Sequence, residues 1–327
     1  MRSMSPVRVA VIGAGVSGLT AARHLADHGI HVKVFEKARG PGGRISSRRQ
    51  DGYIFDHGAP FFTAASPSFA AAVEGWQQSG WIHPWPVLWS GSNPMETGWV
   101  GVPRMSALAR CLSRDLEAMY GVRVAAPRWR HNVWLLKDDN GESLGEYDGV
   151  MVCTPAPQAE ALLASDAPAL AAIAAEASYK PCWVAMAGFE EPLAFANDAL
   201  RFVDSPLEMA TYNGGKPGRE GDFGWVIHAS TEWTLEHLDT PAYEVARELV
   251  RLFSESLDIS LPKINSLNAH RWLYSQVDKS IDEDHLYLPE RRIAVCGDWC
   301  GNGPGLEVAV ASGRSAAVRF LQDIASS

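Results

Sequence analysis

The strongest constraint on this chain is a short β-branched run that stops on glycine. Val7-Arg8-Val9-Ala10-Val11-Ile12 reads as a buried strand, and Gly13-Ala14-Gly15-Val16-Ser17-Gly18 follows it directly. From Val16 to His28 the apolar positions Val16, Leu19, Ala22 and Ala26 keep helical spacing, and Gly29 supplies the stop. Ile30 to Phe35 reads as a second strand ending on Glu36, so the segment forms one βαβ unit, parallel and right-handed. In that setting Gly13 permits the tight turn, Gly15 lets a pyrophosphate approach the backbone, and Gly18 lets the helix pack close to the strand. The phosphates then meet unpaired N–H groups at the positive end of the helix, with Val16 and Ser17 in its first turn. Glu36 lies 18 residues past Gly18, where a carboxylate can accept both hydroxyls of a ribose. The alternative, a glycine turn with a surface glutamate, explains the glycines but not the placement of strand, helix and acid together.

Two further segments bear on which dinucleotide is bound. Lys37 and the run Arg39-Gly40-Pro41-Gly42-Gly43-Arg44 follow the acid directly. Gly42 and Gly43 suit a second backbone approach to the pyrophosphate, and Arg44 supplies a cation to neutralise it. One of Arg48 and Arg49 can also reach phosphate; a basic surface loop is the competing reading. Near the C-terminus, Cys296-Gly297-Asp298 is followed by Gly301, Gly303 and Gly305, then by Leu306 and Glu307 opening the last helix. An aspartate at a strand end can bind ribityl or phosphate-adjacent hydroxyls. The following helix N-terminus can face a flavin ring and stabilise negative charge on it. The competing reading is a glycine turn with an ordinary cap. Acid, arginine loop and C-terminal turn together point to FAD.

The chain has 327 residues, a length for about two domains. Its net charge of −9 argues against nucleic acid or an anionic membrane surface as partner, so a phosphate-bearing ligand must be held by local groups. Five cysteines without paired spacing fit free thiols in a reducing cytoplasm better than a disulfide framework. The six-residue apolar opening is too short for a membrane span or a signal-peptide core, and the expectation is a soluble cytoplasmic protein.

Residues 37–60 read as a functional loop, and Trp76, Trp81, Trp85, Trp89 and Trp99 among prolines and glycines mark a cap over 61–100. Met105–Met119 reads as a helix and Val122–Val124 as a strand returning to the first sheet. Val133–Lys137 and Val150–Thr154 read as strands around the Asp138–Gly141 turn, and 156–177 as helical. Trp183–Phe189 and Trp225–Ser230 read as strands, Pro241–Leu257 as an amphipathic helix, Ile293–Cys296 as a strand and Leu306–Leu321 as a helix. The expected fold is α/β: a discontinuous Rossmann-type FAD-binding domain, glutathione-reductase-like, over 1–60, 101–155 and 268–327. A mixed α+β substrate domain is expected over 61–100 and 156–267.

In order, these pieces resemble the glutathione-reductase-like flavoproteins, and within them the amine-oxidase and renalase branch. The resemblance to renalase-like proteins covers nearly the whole chain. It rests on Gly40-Pro41-Gly42-Gly43-Arg44, Asp56-His57-Gly58-Ala59-Pro60-Phe61-Phe62-Thr63, Trp99-Val100-Gly101, and Ala156-Pro157-Gln158 after Cys153-Thr154-Pro155. His270-Arg271-Trp272-Leu273-Tyr274 and Cys296-Gly297-Asp298-Trp299-Cys300 complete it. The resemblance implies a noncovalently held FAD, with His57, Gly58, Ala59, Val124, Thr154, Gly297 and Asp298 among the cofactor contacts. It also implies oxidase activity on 2- or 6-dihydro isomers of NAD(P)H, a dihydronicotinamide dinucleotide as substrate. Hydride passes to flavin N5, and O2 reoxidises the flavin to give hydrogen peroxide. The sequence departs from the pattern at Pro60-Phe61 and at Gly305-Leu306-Glu307-Val308, which leaves substrate identity open.

Hydride removal from a dihydropyridine leaves an aromatic cation and needs no general base; the protein must orient the donor and exclude competing chemistry. Aromatic walls suit that task. Phe62 and Trp272, inside the matched motifs, are the leading candidates, with His270, Phe61 and Trp225 behind them. No G-x-S-x-G elbow and no C-x-x-C zinc spacing is present, and no metal is expected. His24 and His28 share a helix face without a third ligand, Cys296 and Cys300 flank Asp298 without redox spacing, and Lys180 has no local support as a catalytic lysine. Oxidation of an amine or a secondary metabolite, and flavin binding without turnover, stay open as other readings.

Overall fold

The computed structural model describes residues 6–87, 96–194, 197–219, 221–303 and 305–326; Trp89 lies outside them. The chain packs as two compact units: residues 1–43, 109–178 and 277–327 form the first, and residues 44–108 and 179–276 the second. Segments 44–60, 101–108 and 268–276 thus pack with the second unit, and 156–178 with the first, unlike the boundaries expected from sequence.

The first unit is built on a six-stranded sheet. Strand β1 (Arg8–Ile12) lies at its centre, helix α1 (Val16–Asp27) follows, and β2 (His31–Glu36) returns parallel to β1 with Val9 opposite Val32 and Ile12 opposite Phe35. Gly149–Val152 pairs parallel on the other side of β1, and Ile293–Val295 pairs parallel outside that strand. Val9, Ala10 and Val11 have no exposed surface, as a strand covered on both faces requires. Helix α1 buries Val16, Leu19, Ala22 and Leu25 on one side. The long helix Leu306–Ala325 approaches it at Gly313, where a Cβ would stand 2.2 Å from the Ser17 carbonyl oxygen.

Three sequence expectations are corrected in this unit. The helix expected over Met105–Met119 ends at Leu112, and Asp115 turns the chain at a φ of 62°. Glu117–Tyr120 then forms the edge strand beside β2, tied to it by the Lys33–Glu117 ion pair at 2.7 Å. The strand expected at Val122–Val124 is absent: the Val122 N–H donates to the Glu36 carbonyl, and Val124 makes an isolated bridge to Asp138. Across the turn held by Asp138 Oδ1, which accepts from the Asn140 and Glu142 N–H groups, Val133–Lys137 pairs with Ser143–Tyr147. Residues 156–177 form two helices, Ala156–Leu163 and Pro168–Ala174, because Pro168 starts a new helix where its missing N–H costs nothing.

The second unit carries a five-stranded sheet in the order Ala199–Arg201, Leu207–Tyr212, Gly224–Ala229, Ser178–Phe189, Ile264–Lys279. Period-two alternation divides its faces. Trp183, Ala185, Trp225 and Ile227 pack with Val245, Leu249 and Phe253 of the helix Ala242–Leu257. Cys182, Val184, Met186 and Val226 turn the other way and pack with Phe55. Burying one such large side chain contributes about 1.5–3 kcal/mol.

Candidate functional site

In the first unit the glycine turn has the shape a phosphate cradle needs. A Cβ on Gly13 would stand 2.5 Å from the Cys153 carbonyl oxygen, and one on Gly18 would stand 2.1 Å from the Gly13 carbonyl oxygen. At Gly15 the added Cβ would meet nothing within 4 Å. Close packing therefore demands two of the three glycines, while the third leaves its surroundings open. Gly15 is also the N-cap of α1, with no side-chain cap and no acidic residue in the first turn, so this helix end is left for an anion.

Glu36 is 8% exposed at the end of β2; its Oε2 accepts from the Ala14 N–H and its Oε1 from the Ala38 N–H, both at 2.8 Å. Each oxygen keeps a second lone pair for a hydroxyl. The second glycine loop lies over the first: the Gly42 N–H donates to the Ala14 carbonyl at 2.9 Å, and a Cβ on Gly43 would be 3.5 Å from the Gly15 Cα. Lys37 donates to Gln158 Oε1 at 2.8 Å. The Thr154 hydroxyl is buried without a hydrogen-bond partner.

At the C-terminal turn, a Cβ on Gly297 would collide at 2.5 Å with the Trp299 Nε1, and that indole N–H donates to the Thr154 carbonyl at 3.0 Å. Asp298 is buried beside it. Leu306 and Glu307 open the last helix behind Gly305, whose φ of 107° favours glycine. These residues fit a dinucleotide: an open uncapped helix end, a ribose acid, and a buried orphan hydroxyl.

In the second unit, alternate residues of the strand Ile264–Lys279 place His270 and Trp272 on one face. Their rings and that of His57 form a cluster, with centroid separations of 4.4 Å (His270–Trp272), 5.1 Å (His57–His270) and 5.3 Å (His57–Trp272). The Trp272 Nε1–H donates to the His57 carbonyl at 2.7 Å. Burial, then the His270 and Arg48 charges, push His57 down to about 3. Burial and Arg48 push His270 down to about 4. His228, whose Nε2 lies 3.4 Å from the Gly58 carbonyl, is also pushed to about 4 by burial. All three imidazoles are neutral at pH 7. Arg44 donates to the Ser275 carbonyl and lies over the Tyr179 ring, while its own carbonyl accepts from the Ala59 N–H. A Cβ on Gly58 would stand 1.9 Å from that carbonyl oxygen.

Of the other aromatic candidates Phe62 and Trp225 are core, and Phe61 is half-buried. Phe62 pairs its backbone with Trp99 and packs its ring on Phe69 and Trp76, so the expected wall role does not fit its place. Trp225 stacks on Tyr212 on the helix-covered face. Phe61 packs on Trp85 and fills the space a Gly98 Cβ would take.

Sequence reasoning missed a buried ion cluster. Asp56, with no exposed surface, accepts from Arg219 at 2.6 Å, Ser47 Oγ at 2.7 Å, the Met105 N–H at 3.0 Å and Lys216 at 3.4 Å. Burial opposes its charge, but Lys216 and Arg219 outweigh it and hold the carboxyl below its ordinary value. The available signal was Lys216-Pro217-Gly218-Arg219, two cations on one tight turn. Among the described residues no group of three potential metal ligands is assembled, and no helix is long and apolar enough to cross a membrane.

Comparison with known proteins agrees with this geometry. Residues 11–74 match the NAD(P)-binding Rossmann-like domain, and residues 90–321 match the flavin containing amine oxidoreductase family. The chain belongs to that family, whose cofactor is FAD. It is 43% identical to protoporphyrinogen oxidase 2, chloroplastic/mitochondrial, of Arabidopsis thaliana over 74 residues, 23% of this chain and 15% of that one. It is 53% identical to the zeta-carotene-forming phytoene desaturase of Myxococcus xanthus over 51 residues, 16% of this chain and 10% of that one. The matched segments are thus a small part of either relative. A crystal structure from Exiguobacterium sp. 255-15, provisionally named a protoporphyrinogen oxidase, superposes with a TM-score of 0.76 at 12% identity, covering 98% of this chain and all of that one. A putrescine oxidase double mutant gives 0.67 at 14% identity over 97% of this chain and all of that one. These two likenesses concern the fold.

Proposed function

We propose that this oxidoreductase takes a hydride from a neutral, dihydronicotinamide-type donor, as renalase-like enzymes do on 2- or 6-dihydro-NAD(P). The observation that carries the reading is the His57–His270–Trp272 cluster. Its two histidines, at about 3 and about 4, are already deprotonated at pH 7 and too weakly basic to take a proton from a substrate. A protonated amine must lose a proton before it can give up a hydride. A dihydropyridine need not, because the product cation is aromatic. Trp272 and His270 then act by holding a planar ring and excluding water, with the Trp272–His57 hydrogen bond fixing the indole. FAD, when bound, supplies a two-electron hydride acceptor that O2 regenerates with formation of hydrogen peroxide. In the first unit the Gly13–Gly18 turn and Gly42–Gly43 hold its pyrophosphate, Glu36 its ribose, and Thr154 and Asp298 are further contacts.

The family name and the fold shared with a putrescine oxidase favour an amine as the second reading. Anaerobic mixing with the 2-, 4- and 6-dihydro isomers of NAD(P)H and with putrescine, followed by flavin bleaching, separates the two. Rapid bleaching by the 2- or 6-isomer supports the proposal; bleaching by putrescine alone overturns it.

A further inference from the structure

Cys153 and Cys296 each follow the last residue of neighbouring parallel strands, in which Val152 stands opposite Val295. The ladder continues, since the Cys296 N–H donates to the Val152 carbonyl at 3.1 Å. Adjacent strands run about 4.8 Å apart. That spacing falls inside the range of about 4.4–6.8 Å between Cα atoms that a disulfide spans. The sulfurs are 3.3 Å apart. In sequence Cys296 and Cys300 flank Asp298 without redox spacing; the fold sets Cys296 beside Cys153, 143 positions away.

The pair sits directly under the first turn of α1. The Ser17 hydroxyl donates to Cys296 Sγ at 3.0 Å, and a Cβ on Gly18 would stand 3.0 Å from the Cys153 Cβ. The hydrogen bond shared with Cys153, joined by Ser17, draws the Cys296 thiol down against burial, while the same pairing and burial push Cys153 well up. Cys153 keeps 8% of its surface exposed and Cys296 none.

We propose that Cys153 and Cys296 form an oxidisable dithiol, closed to a disulfide by peroxide, and that closure loosens FAD. In the first step the Cys153 sulfur attacks one peroxide oxygen and the O–O bond breaks. The thiol proton leaves with the departing hydroxide as water, and Cys153 becomes a sulfenic acid. The Cys296 sulfur then attacks Cys153, the S–O bond breaks, and its thiol proton leaves with the hydroxide as a second water. Two thiols are oxidised by two electrons and one peroxide is reduced to two waters. Bringing the sulfurs to about 2.05 Å removes the thiol pair against which Ser17 and Gly18 are seated, and the uncapped helix end shifts with them. The high value of Cys153 makes the first step slow, so the site responds to sustained peroxide rather than to a brief pulse.

The test treats holoenzyme with hydrogen peroxide, removes the excess with catalase, and follows two readouts. Peptide mapping of the blocked, unreduced protein is expected to show a Cys153–Cys296 cross-link that dithiothreitol removes, and ultrafiltration is expected to show FAD lost over the same period. Cys153→Ala and, as a second variant, Cys296→Ser should give no cross-linked peptide and should retain FAD. Absence of the cross-link in the wild type overturns the proposal. FAD loss at the wild-type rate in the folded variants overturns the coupling.

Discussion

In Gly15→Ala a methyl group is added at the N-cap of α1, where no protein atom lies within 4 Å. The backbone there, φ −71° and ψ 174°, is ordinary extended conformation for alanine. Two small effects oppose each other in the apoprotein. Alanine is a poorer N-cap than glycine, by about 0.5–1 kcal/mol. Against that, it restricts the unfolded chain, which gains about 0.4–1 kcal/mol where the native φ suits it. Apoprotein stability should therefore stay within about 1 kcal/mol of wild type. FAD binding should not be spared, because the methyl occupies the space assigned to the pyrophosphate. Overpacking of about 1–3 kcal/mol weakens binding by roughly 5- to 150-fold. Urea unfolding of the apoprotein and titration of flavin fluorescence measure the two effects separately. Gly18→Ala is the control with the opposite signature, since its Cβ would meet the Gly13 carbonyl at 2.1 Å and the fold itself should suffer. Unchanged FAD affinity in Gly15→Ala would refute the cradle, and a large loss of apoprotein stability would refute the open space.

Asp56→Asn should destabilise the second unit by about 3–5 kcal/mol in urea, because Lys216 and Arg219 are left buried without their carboxylate. Acid should also weaken the fold: unfolded histidines take up protons near their ordinary value while His57, at about 3, does not, so the unfolded state binds more protons and stability falls as pH drops from about 6.5 toward 3. For His57 alone the loss between pH 7 and pH 5 is about 2 kcal/mol, with His228 adding in the same direction; melting at the two pH values checks it. Trp272→Phe removes the indole donor to the His57 carbonyl at about 1 kcal/mol but keeps a ring. It should retain FAD and reduce more slowly with the donor, as stopped-flow bleaching would show.

The strand–helix–strand unit with its glycine turn was legible because its signals are local. Strand, glycines, helix and acid lie within Val7–Glu36, and each local preference agrees with the packing. The helix Ala242–Leu257 was equally plain, since one apolar stripe faces one sheet. The edge strand Glu117–Tyr120 was not: Glu117, Met119 and Tyr120 are exposed, so no alternation marks it, and the break at Asp115 is a backbone state any sequence window would average away. Aromatic roles were read unevenly for a related reason. Phe62 and Trp272 both sit inside the matched motifs, yet only Trp272 stays half-buried beside two histidines, and a ring's partners are decided by the tertiary fold. The Asp56–Lys216–Arg219 cluster and the Cys153–Cys296 pair join residues more than a hundred positions apart, which no spacing rule reaches.

The most direct test of the central claim is the pH dependence of anaerobic flavin reduction by the best dihydronicotinamide donor. With neutral histidines and no base at the cluster, the reduction rate should be flat between about pH 6 and pH 9. A rate that climbs with pH along a single titration, as for a substrate or base that must first lose a proton, would contradict the account.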